Sequence, residues 1–267
     1  GGVYFGDDAA PDMNHVHLRW FDYWLKGKQN GALDEAPVQL FEPGTNVWRD
    51  ADHWPLATAE LALHLHTADG GTLTTEEAAE GEEGRSYRYD PRDPAPTQTS
   101  PSTYPIEDVP LDQTEVEKRA DVLTYTSEPL AQEMAISGWP VLELLASSDC
   151  DDTEWHVKIT DVDPDGRSMK VCQGCLRASY RNSQETPIPL TPGEVHRFLV
   201  ELWPIQHCFL PGHRVRVSIT SSDFPWFARN MNQFGPLKDQ AEPKIATNTI
   251  HPGSRLLLPV ERGNVGW

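Results

Sequence analysis

Residues 154–166 read EWHVKITDVDPDG and carry two signals that together decide the fold. Apolar and polar side chains alternate from Trp155 onward, which is the two-residue period of a β-strand with one buried face. The run ends in DPDG at 163–166, where Pro and Gly occupy the second and fourth positions of a type I turn. The following residues, MKVCQGCLRASY at 169–180, alternate again. This stretch therefore predicts a β-hairpin.

Short runs of the same kind follow one another from residue 37 onward, separated by Gly, Pro, Asn and Asp. They read PVQLFEPGTN, LALHLHTADGG, RSYRYDPRD, VLTYT, VLELLAS, HRFLVELWP, HRVRVSITSS and SRLLLPV. About nine or ten strands at this spacing predict a β-sandwich or jelly roll. The 23 prolines and 19 glycines argue against long internal helices. We therefore predict an all-β fold.

One segment near the start departs from this pattern. Residues 12–27, DMNHVHLRWFDYWLKG, place their apolar side chains at the spacing of one helical face. Asp12 can cap the start of this helix and Gly27 its end. Because its three large aromatic side chains need an apolar surface to lie on, we interpret the helix as part of a neighbouring domain.

The charge of the chain excludes some classes of partner. It has 41 acidic and 22 basic residues and a formal net charge of −19, so its field repels nucleic acid and anionic membrane surfaces. No run approaches the roughly 18 apolar residues of a spanning helix, and the start GGVYFGDDAA lacks the features of a signal peptide. We expect a soluble, cytoplasmic protein. The missing initiator Met suggests a processed or excised piece.

Four cysteines raise the question of a metal site. Cys172 and Cys175 form C-x-x-C, and zinc would need two further ligands, for which His207 could be offered. The alternating strand places the two cysteines on opposite faces unless the Gln173-Gly174 pair bends it, which favours buried, inert thiols. A disulfide remains open. The DPDG turn resembles a calcium loop without its distal Glu, and two histidines in LALHLH lack a third ligand.

The sequence offers no catalytic centre. The nucleophile elbow G-x-S-x-G of α/β-hydrolases does not occur. None of the ten histidines stands out as a base beside an activated nucleophile, and none of the 41 acids can be assigned to a glycosidase pair. We expect no catalytic residue, metal ligand or cofactor in this chain.

Two features suggest binding instead. Residues 90–121 lack a strand pattern and hold six prolines; a loop this long commonly contacts a substrate or another domain, although a surface wrap over a sheet edge fits equally well. Nine tryptophans could line a sugar-binding face, which makes a carbohydrate-binding β-sandwich module the alternative function. The simpler interpretation is that most of these rings lie in the core or against another domain.

Eight segments, in this order, resemble the C-terminal part of CocE/NonD hydrolases, the family of X-prolyl dipeptidyl peptidases and cocaine esterases. The resemblance covers nearly all of residues 13–260. The segments are HLRWFDYWLKG, PVQLFEPGTNVWRDADHWP, YDPRDPAPT, DQTEVEKRADVLTYTSEPL, VKITDVDPDG, GCLRASYR, FLPGHRVRVSITSSDFPWFARNMN and SRLLLPV.

This resemblance implies an α/β-hydrolase domain with a Ser-His-Asp triad and a jelly-roll domain that closes the substrate pocket. The family's triad histidine precedes a Phe-Gly pair similar to Phe5-Gly6, so the whole triad is expected upstream of this chain. Family members often follow a stretch like 93–97 with Gly-Gly and apolar residues that reach the acyl pocket, but QTSPSTY follows here. By resemblance to the family, Thr97, Ser100, Thr103 and Tyr104 are expected to face the substrate pocket. The residues expected at the domain interface are Trp20, Trp24, Trp226 and Phe227.

We therefore expect a jelly-roll β-sandwich of the galactose-binding-like type at 37–267. Residues 1–36 are expected to be the last helix and linker of the hydrolase domain. The expected role is to wall the pocket of an enzyme that cleaves an ester or an X-Pro peptide bond. The expected partners are the missing α/β-hydrolase domain of the same polypeptide and a small ester or peptide substrate, with neither nucleic acid nor a membrane.

Overall fold

The computed structural model describes residues 3–79, 81–98, 111–240 and 242–262, and within them the chain is almost entirely β. A single α-helix, α1, spans Met13–Lys26 in this part of the chain. The strands are β1 Val38–Glu42, β2 Val47–Ala51, β3 Ala59–His66, β4 Thr72–Thr74, β5 Arg85–Tyr89, β6 Leu123–Ser127, β7 Met134–Gly138, β8 Val141–Ser148, β9 Glu154–Val162, β10 Ser168–Arg177, β11 His196–Glu201, β12 Ile205–Phe209, β13 Arg214–Thr220, β14 Ala246–Ile250 and β15 Arg255–Arg262. The predicted all-β fold is confirmed.

Helix α1 begins and ends where its sequence predicts. The carboxylate of Asp12 accepts hydrogen bonds from the amides of Asn14 at 3.0 Å and His15 at 3.2 Å. Gly27 closes the helix with φ 66°, and its amide donates to the carbonyl of Tyr23 at 3.1 Å. None of the helical residues is buried, so the apolar face of α1 is uncovered.

Thirteen strands, β3 to β15, form one continuous hydrogen-bonded sheet in the described residues, and β1 and β2 pair with each other. Its main path runs β10-β9-β13-β6-β4-β3-β15-β8-β14-β5, with β11 beside β8 and with β7 between β12 and β15. All of these pairings are antiparallel except that of β4 with β6. The sheet bends back on itself, since Trp155 of β9 and Phe198 of β11 lie with ring centroids 5.4 Å apart although their strands do not pair.

The core fills the space between the two layers of this bent sheet. Its inward positions come from alternate residues of the strands, as the two-residue period requires. Each such side chain contributes roughly 1.5–3 kcal/mol when fully buried. Fully buried members include Leu63, Leu65, Tyr125, Ile136, Leu142, Leu144, Trp155, Val157, Phe198, Val217 and Leu256.

The hairpin predicted at 154–180 is formed by β9 and β10. Val162 pairs with Ser168, and Gly166 adopts φ 89° in the connecting turn. The carboxylate of Asp163 accepts hydrogen bonds from the amide of Arg167 at 3.0 Å and from its Nε at 2.7 Å. This side chain therefore closes the turn.

The β1–β2 hairpin is attached to the sandwich through a buried carboxylate. Glu42 is fully buried and accepts hydrogen bonds from Arg49 Nη1 at 2.8 Å, Gln206 Nε2 at 2.9 Å and Arg262 Nη1 at 3.1 Å. Burial alone would raise the pKa of Glu42. The hydrogen bonds from Arg262, Thr45, Gln206 and Arg49 outweigh burial and lower this pKa to about 2.

Candidate functional site

Two loops meet at one end of the sandwich and hold each other by backbone hydrogen bonds. The amide of Phe224 donates to the carbonyl of Ala95 at 3.0 Å, and the amide of Thr97 donates to the carbonyl of Phe224 at 2.7 Å. Ser222 Oγ accepts from the amide of Ala95 at 2.8 Å. Thr97 is buried, and its hydroxyl accepts from the amide of Trp226 at 3.2 Å. Thr97 therefore fixes the backbone at Trp226.

Residues 224–230, which we call the aromatic loop, present large rings at this end. Phe224 is 40% exposed and Trp226 42% exposed. The guanidinium of Arg229 lies over the Phe224 ring at 5.3 Å and donates to the carbonyl of Pro91 at 3.0 Å. The two loops are thus joined by a side chain as well as by backbone.

Phe227 of the aromatic loop packs back onto the sheet. Its ring meets that of His156 edge-on, with centroids 5.0 Å apart, and His156 Nε2 lies 3.1 Å from Glu154 Oε2. The structure therefore brings Trp226 and Phe227 together in one loop beside Thr97. The other pocket-facing residues expected from the sequence, Ser100, Thr103 and Tyr104, lie outside the described residues.

A buried ammonium group lies beneath the two loops, and sequence reasoning missed it. Lys158 Nζ donates to Asp223 Oδ1 at 2.9 Å and to Gln113 Oε1 at 3.2 Å. All three residues are buried. Strand β9 is buried from Trp155 to Val162, so both of its faces are covered. The sequence contains one indication of this site: Lys158 lies within a predicted strand, and residues 90–121 form a loop long enough to cover that strand.

The other two residues expected at the domain interface lie on α1. Trp20 is 48% exposed and Trp24 is 56% exposed, and their ring centroids are 5.8 Å apart. Phe21 and Leu25 are exposed on the same helix. These side chains form an apolar surface that the described part of the chain leaves uncovered.

The four cysteines are free thiols. Cys172 is buried and Cys175 exposed, as the strand alternation predicts, so the expectation of a buried thiol is wrong for Cys175. Burial raises the pKa of Cys208 to about 12. Among the described residues, no three His, Cys, Asp or Glu side chains converge in a way that could hold a metal ion.

A carboxylate between two imidazoles is a second feature that sequence reasoning missed. Asp161 Oδ2 lies 3.0 Å from His207 Nε2, and Asp161 Oδ1 lies 2.7 Å from His213 Nδ1. Burial opposes the charge of Asp161, but the bonds to both histidines lower its pKa overall, and the bond to Asp161 raises the pKa of His213. The cluster lines a cavity of about 570 Å³, which segment 3–9 and the β1–β2 hairpin also border.

Trp54, Trp139 and Trp155 do not form a flat sugar platform. Trp155 is fully buried in the core. Trp54 and Trp139 lie 4.7 Å apart, but their ring planes differ by 61°. Such an edge-to-face pair stabilises local packing and offers no coplanar surface for a pyranose ring.

A model of one protein family matches most of the chain. The family is described as the X-Pro dipeptidyl-peptidase C-terminal non-catalytic domain, and the match covers residues 30–256. The chain belongs to this family. Its assignment as an X-Pro dipeptidyl-peptidase C-terminal domain confirms the resemblance and agrees with the absence of a nucleophile elbow from its sequence.

Individual relatives of this C-terminal domain are ester-cleaving enzymes by name. Cocaine esterase from Rhodococcus sp. (strain MB1 Bresler) is 33% identical over 259 residues, which are 92% of this chain and 45% of the esterase. A solved alpha-amino acid ester hydrolase is 31% identical with a TM-score of 0.82 and covers 92% of this chain and 44% of its own. A CocE/NonD family hydrolase from Staphylococcus aureus, 17% identical with a TM-score of 0.67, shares the fold. The chain thus spans less than half the length of these relatives.

No helix in the described residues is long and apolar enough to cross a membrane.

Proposed function

We propose that this chain is the companion β-sandwich of a CocE/NonD-type serine hydrolase and walls the substrate pocket of an α/β-hydrolase domain in the same polypeptide. That domain carries the Ser-His-Asp triad, and residues 1–36 contribute its last helix and the linker. The complete protein hydrolyses a small ester or an X-Pro peptide bond through an acyl-enzyme.

The uncovered face of α1 is the observation that carries this proposal. Fourteen helical residues bury none of their side chains, although Trp20 and Trp24 present large apolar rings. Apolar surface of this kind contributes roughly 25 cal/mol per Å² when it is removed from water. A covering domain therefore stabilises the helix, and the extra length of the relatives provides one.

The aromatic loop and Thr97 form the part of the wall nearest the substrate. Trp226 and Phe227 contact the hydrolase domain, and Thr97 holds the loop in place through its bond to the Trp226 amide. Thr97, Ser100, Thr103 and Tyr104 face the pocket. A wall of this kind assists catalysis by excluding water and by positioning the acyl group, and it supplies no nucleophile.

Turnover assays test this assignment. The chain alone is expected to hydrolyse neither p-nitrophenyl acyl esters nor Xaa-Pro p-nitroanilides, whereas the complete protein hydrolyses at least one of the two. Turnover by the chain alone would overturn the proposal. Inactivity of the complete protein on both substrate series would do so as well.

A further inference from the structure

We propose that Lys158 is a positioning residue that fixes the two loops of the pocket wall relative to each other and thereby sets acyl specificity. The positioning follows from the contacts of Lys158 itself. The effect on specificity rests on the proposed function. Lys158 touches no reacting group in this proposal and acts through Asp223 and Gln113.

On one side, Lys158 holds the start of the aromatic loop. Asp223 immediately precedes Phe224, and its carboxylate accepts a hydrogen bond from the Lys158 ammonium at 2.9 Å. The backbone carbonyl of Asp223 also accepts a hydrogen bond from the backbone amide of Phe227 at 2.9 Å, and this contact bends the aromatic loop. A change in the position of Asp223 therefore moves Phe224 and Phe227 together.

On the other side, Lys158 holds the C-terminal part of the 90–121 segment through Gln113. The side-chain oxygen of Gln113 accepts a hydrogen bond from the same ammonium at 3.2 Å. The backbone amide of Gln113 donates to the carbonyl of Ser168 at 2.7 Å, and its Nε2 donates to the carbonyl of Leu111 at 3.0 Å. The Lys170 amide donates to the Leu111 carbonyl at 3.1 Å. One ammonium group therefore joins the residue before the aromatic loop to residues 111–113 of the 90–121 segment.

The chemistry of this contact favours a positional role over a simple contribution to packing. An ammonium group loses its hydration when it is buried, and apolar residues of similar volume often stabilise such a place equally well or better. An ammonium also directs its three donors at chosen acceptors, which an apolar side chain cannot do. Asp223 and Gln113 are 110 residues apart in the sequence, and this shared donor sets the distance between them.

The substitution Lys158→Met keeps the aliphatic stem and removes the ammonium. In the 267-residue chain, hydrogen exchange at the amides of Thr97, Gln113 and Phe227 is expected to accelerate at least tenfold relative to amides of β8 and β15. The matched control is Arg177→Met, which removes a partly buried cation, paired with Asp152 at 2.6 Å. The control should leave exchange at those three amides unchanged. Acceleration spread evenly over the whole sandwich would overturn the positioning role.

In the complete hydrolase, Lys158→Met is expected to change the ratio of kcat/KM for a short and a long acyl ester at least fivefold. The change should appear in KM, with kcat within about twofold of wild type, because the triad is untouched. If hydrogen exchange accelerates at the three amides but the ratio of kcat/KM is unchanged, the effect on specificity is overturned. If Lys158→Met does not fold, Gln113→Met removes the 3.2 Å contact with Lys158 and the 3.0 Å contact with the Leu111 carbonyl, and it is expected to shift the ratio in the same direction. A wild-type protein without hydrolase activity would refute the proposed function, while the exchange result would still decide the positioning role.

Discussion

His213 Nδ1 lies 2.7 Å from Asp161 Oδ1, and this contact joins the residue before β13 to β9. The hydrogen bond that His213 donates to the Asp161 carboxylate raises the pKa of His213 above its ordinary value of 6.5. Protonated His213 therefore stabilises the folded state, and this contribution is fully present below pH 6.5. It is lost as the pH rises through the pKa of His213 in the folded protein.

We therefore predict that the free energy of unfolding falls over the pH range above 6.5 and that His213→Asn removes most of this fall. Urea unfolding across that range measures it. His15→Asn, on exposed α1, is the control and should retain the wild-type slope. The account of the Asp161 cluster is wrong if wild type and His213→Asn lose stability in parallel.

Glu42 and its two arginines provide a prediction at acid pH. The pKa of Glu42 is lowered to about 2, so its contribution is present above the unfolded-state value near 4.5 and is lost as the pH falls toward 2. Removal of one partner from a buried ion pair typically costs about 3–5 kcal/mol. We expect Glu42→Gln to lower the free energy of unfolding at pH 7 by about 3 kcal/mol.

Glu133 is the matched control for Glu42 because it contacts the same Arg262, at 3.4 Å, from an exposed position. Glu133→Gln should cost less than about 1 kcal/mol, as exposed ion pairs do. Chemical unfolding at pH 7 and pH 3 compares the two variants. Equal costs would show that burial of Glu42 is not what makes its contacts strong.

Trp155 and Trp139 separate core packing from surface packing. Trp155 is fully buried against Phe198, whereas Trp139 is 44% exposed. Trp155→Ala is expected to cost about 3–5 kcal/mol through the cavity it leaves. Trp139→Ala should cost about 1 kcal/mol, mainly the edge-to-face contact with Trp54. Guanidinium unfolding measures both, and similar costs would contradict the assigned core.

The uncovered face of α1 predicts self-association of the isolated chain. Exposed apolar patches promote contacts between molecules. Sedimentation velocity at rising concentration should reveal a dimer, and Trp20→Ser with Trp24→Ser should weaken it at least tenfold. Trp203→Ser, which removes another half-exposed ring, is the control. Equal weakening by the control would assign the association to another surface.

Local chemistry in the sequence predicts much of this fold. The DPDG turn, the caps of α1 and the alternation of Cys172 and Cys175 each depend on neighbours within a few residues, and each prediction is confirmed. The prediction for residues 90–121 was less complete. Ala95 and Val116 from that stretch pack with Val122 in a small second core, and Gln113 and Glu117 contact Lys158 and Thr160 of β9.

Long-range polar contacts could not be predicted in the same way. Asp161 meets His207 and His213 across 46 and 52 residues of sequence, and Lys158 meets Asp223 across 65. Alternation assigns a residue to a face of its strand and does not say whether that face is solvated or covered. Lys158 lies on the face of β9 opposite the main core, and the part of the chain that covers this face became known only from the structure.

Intact mass spectrometry after exposure to a fluorophosphonate probe tests the non-catalytic assignment most directly. The account predicts no mass shift for the isolated 267-residue chain and one probe adduct on the complete protein, at a serine upstream of this chain. A stoichiometric adduct on any serine of the isolated chain would contradict the account.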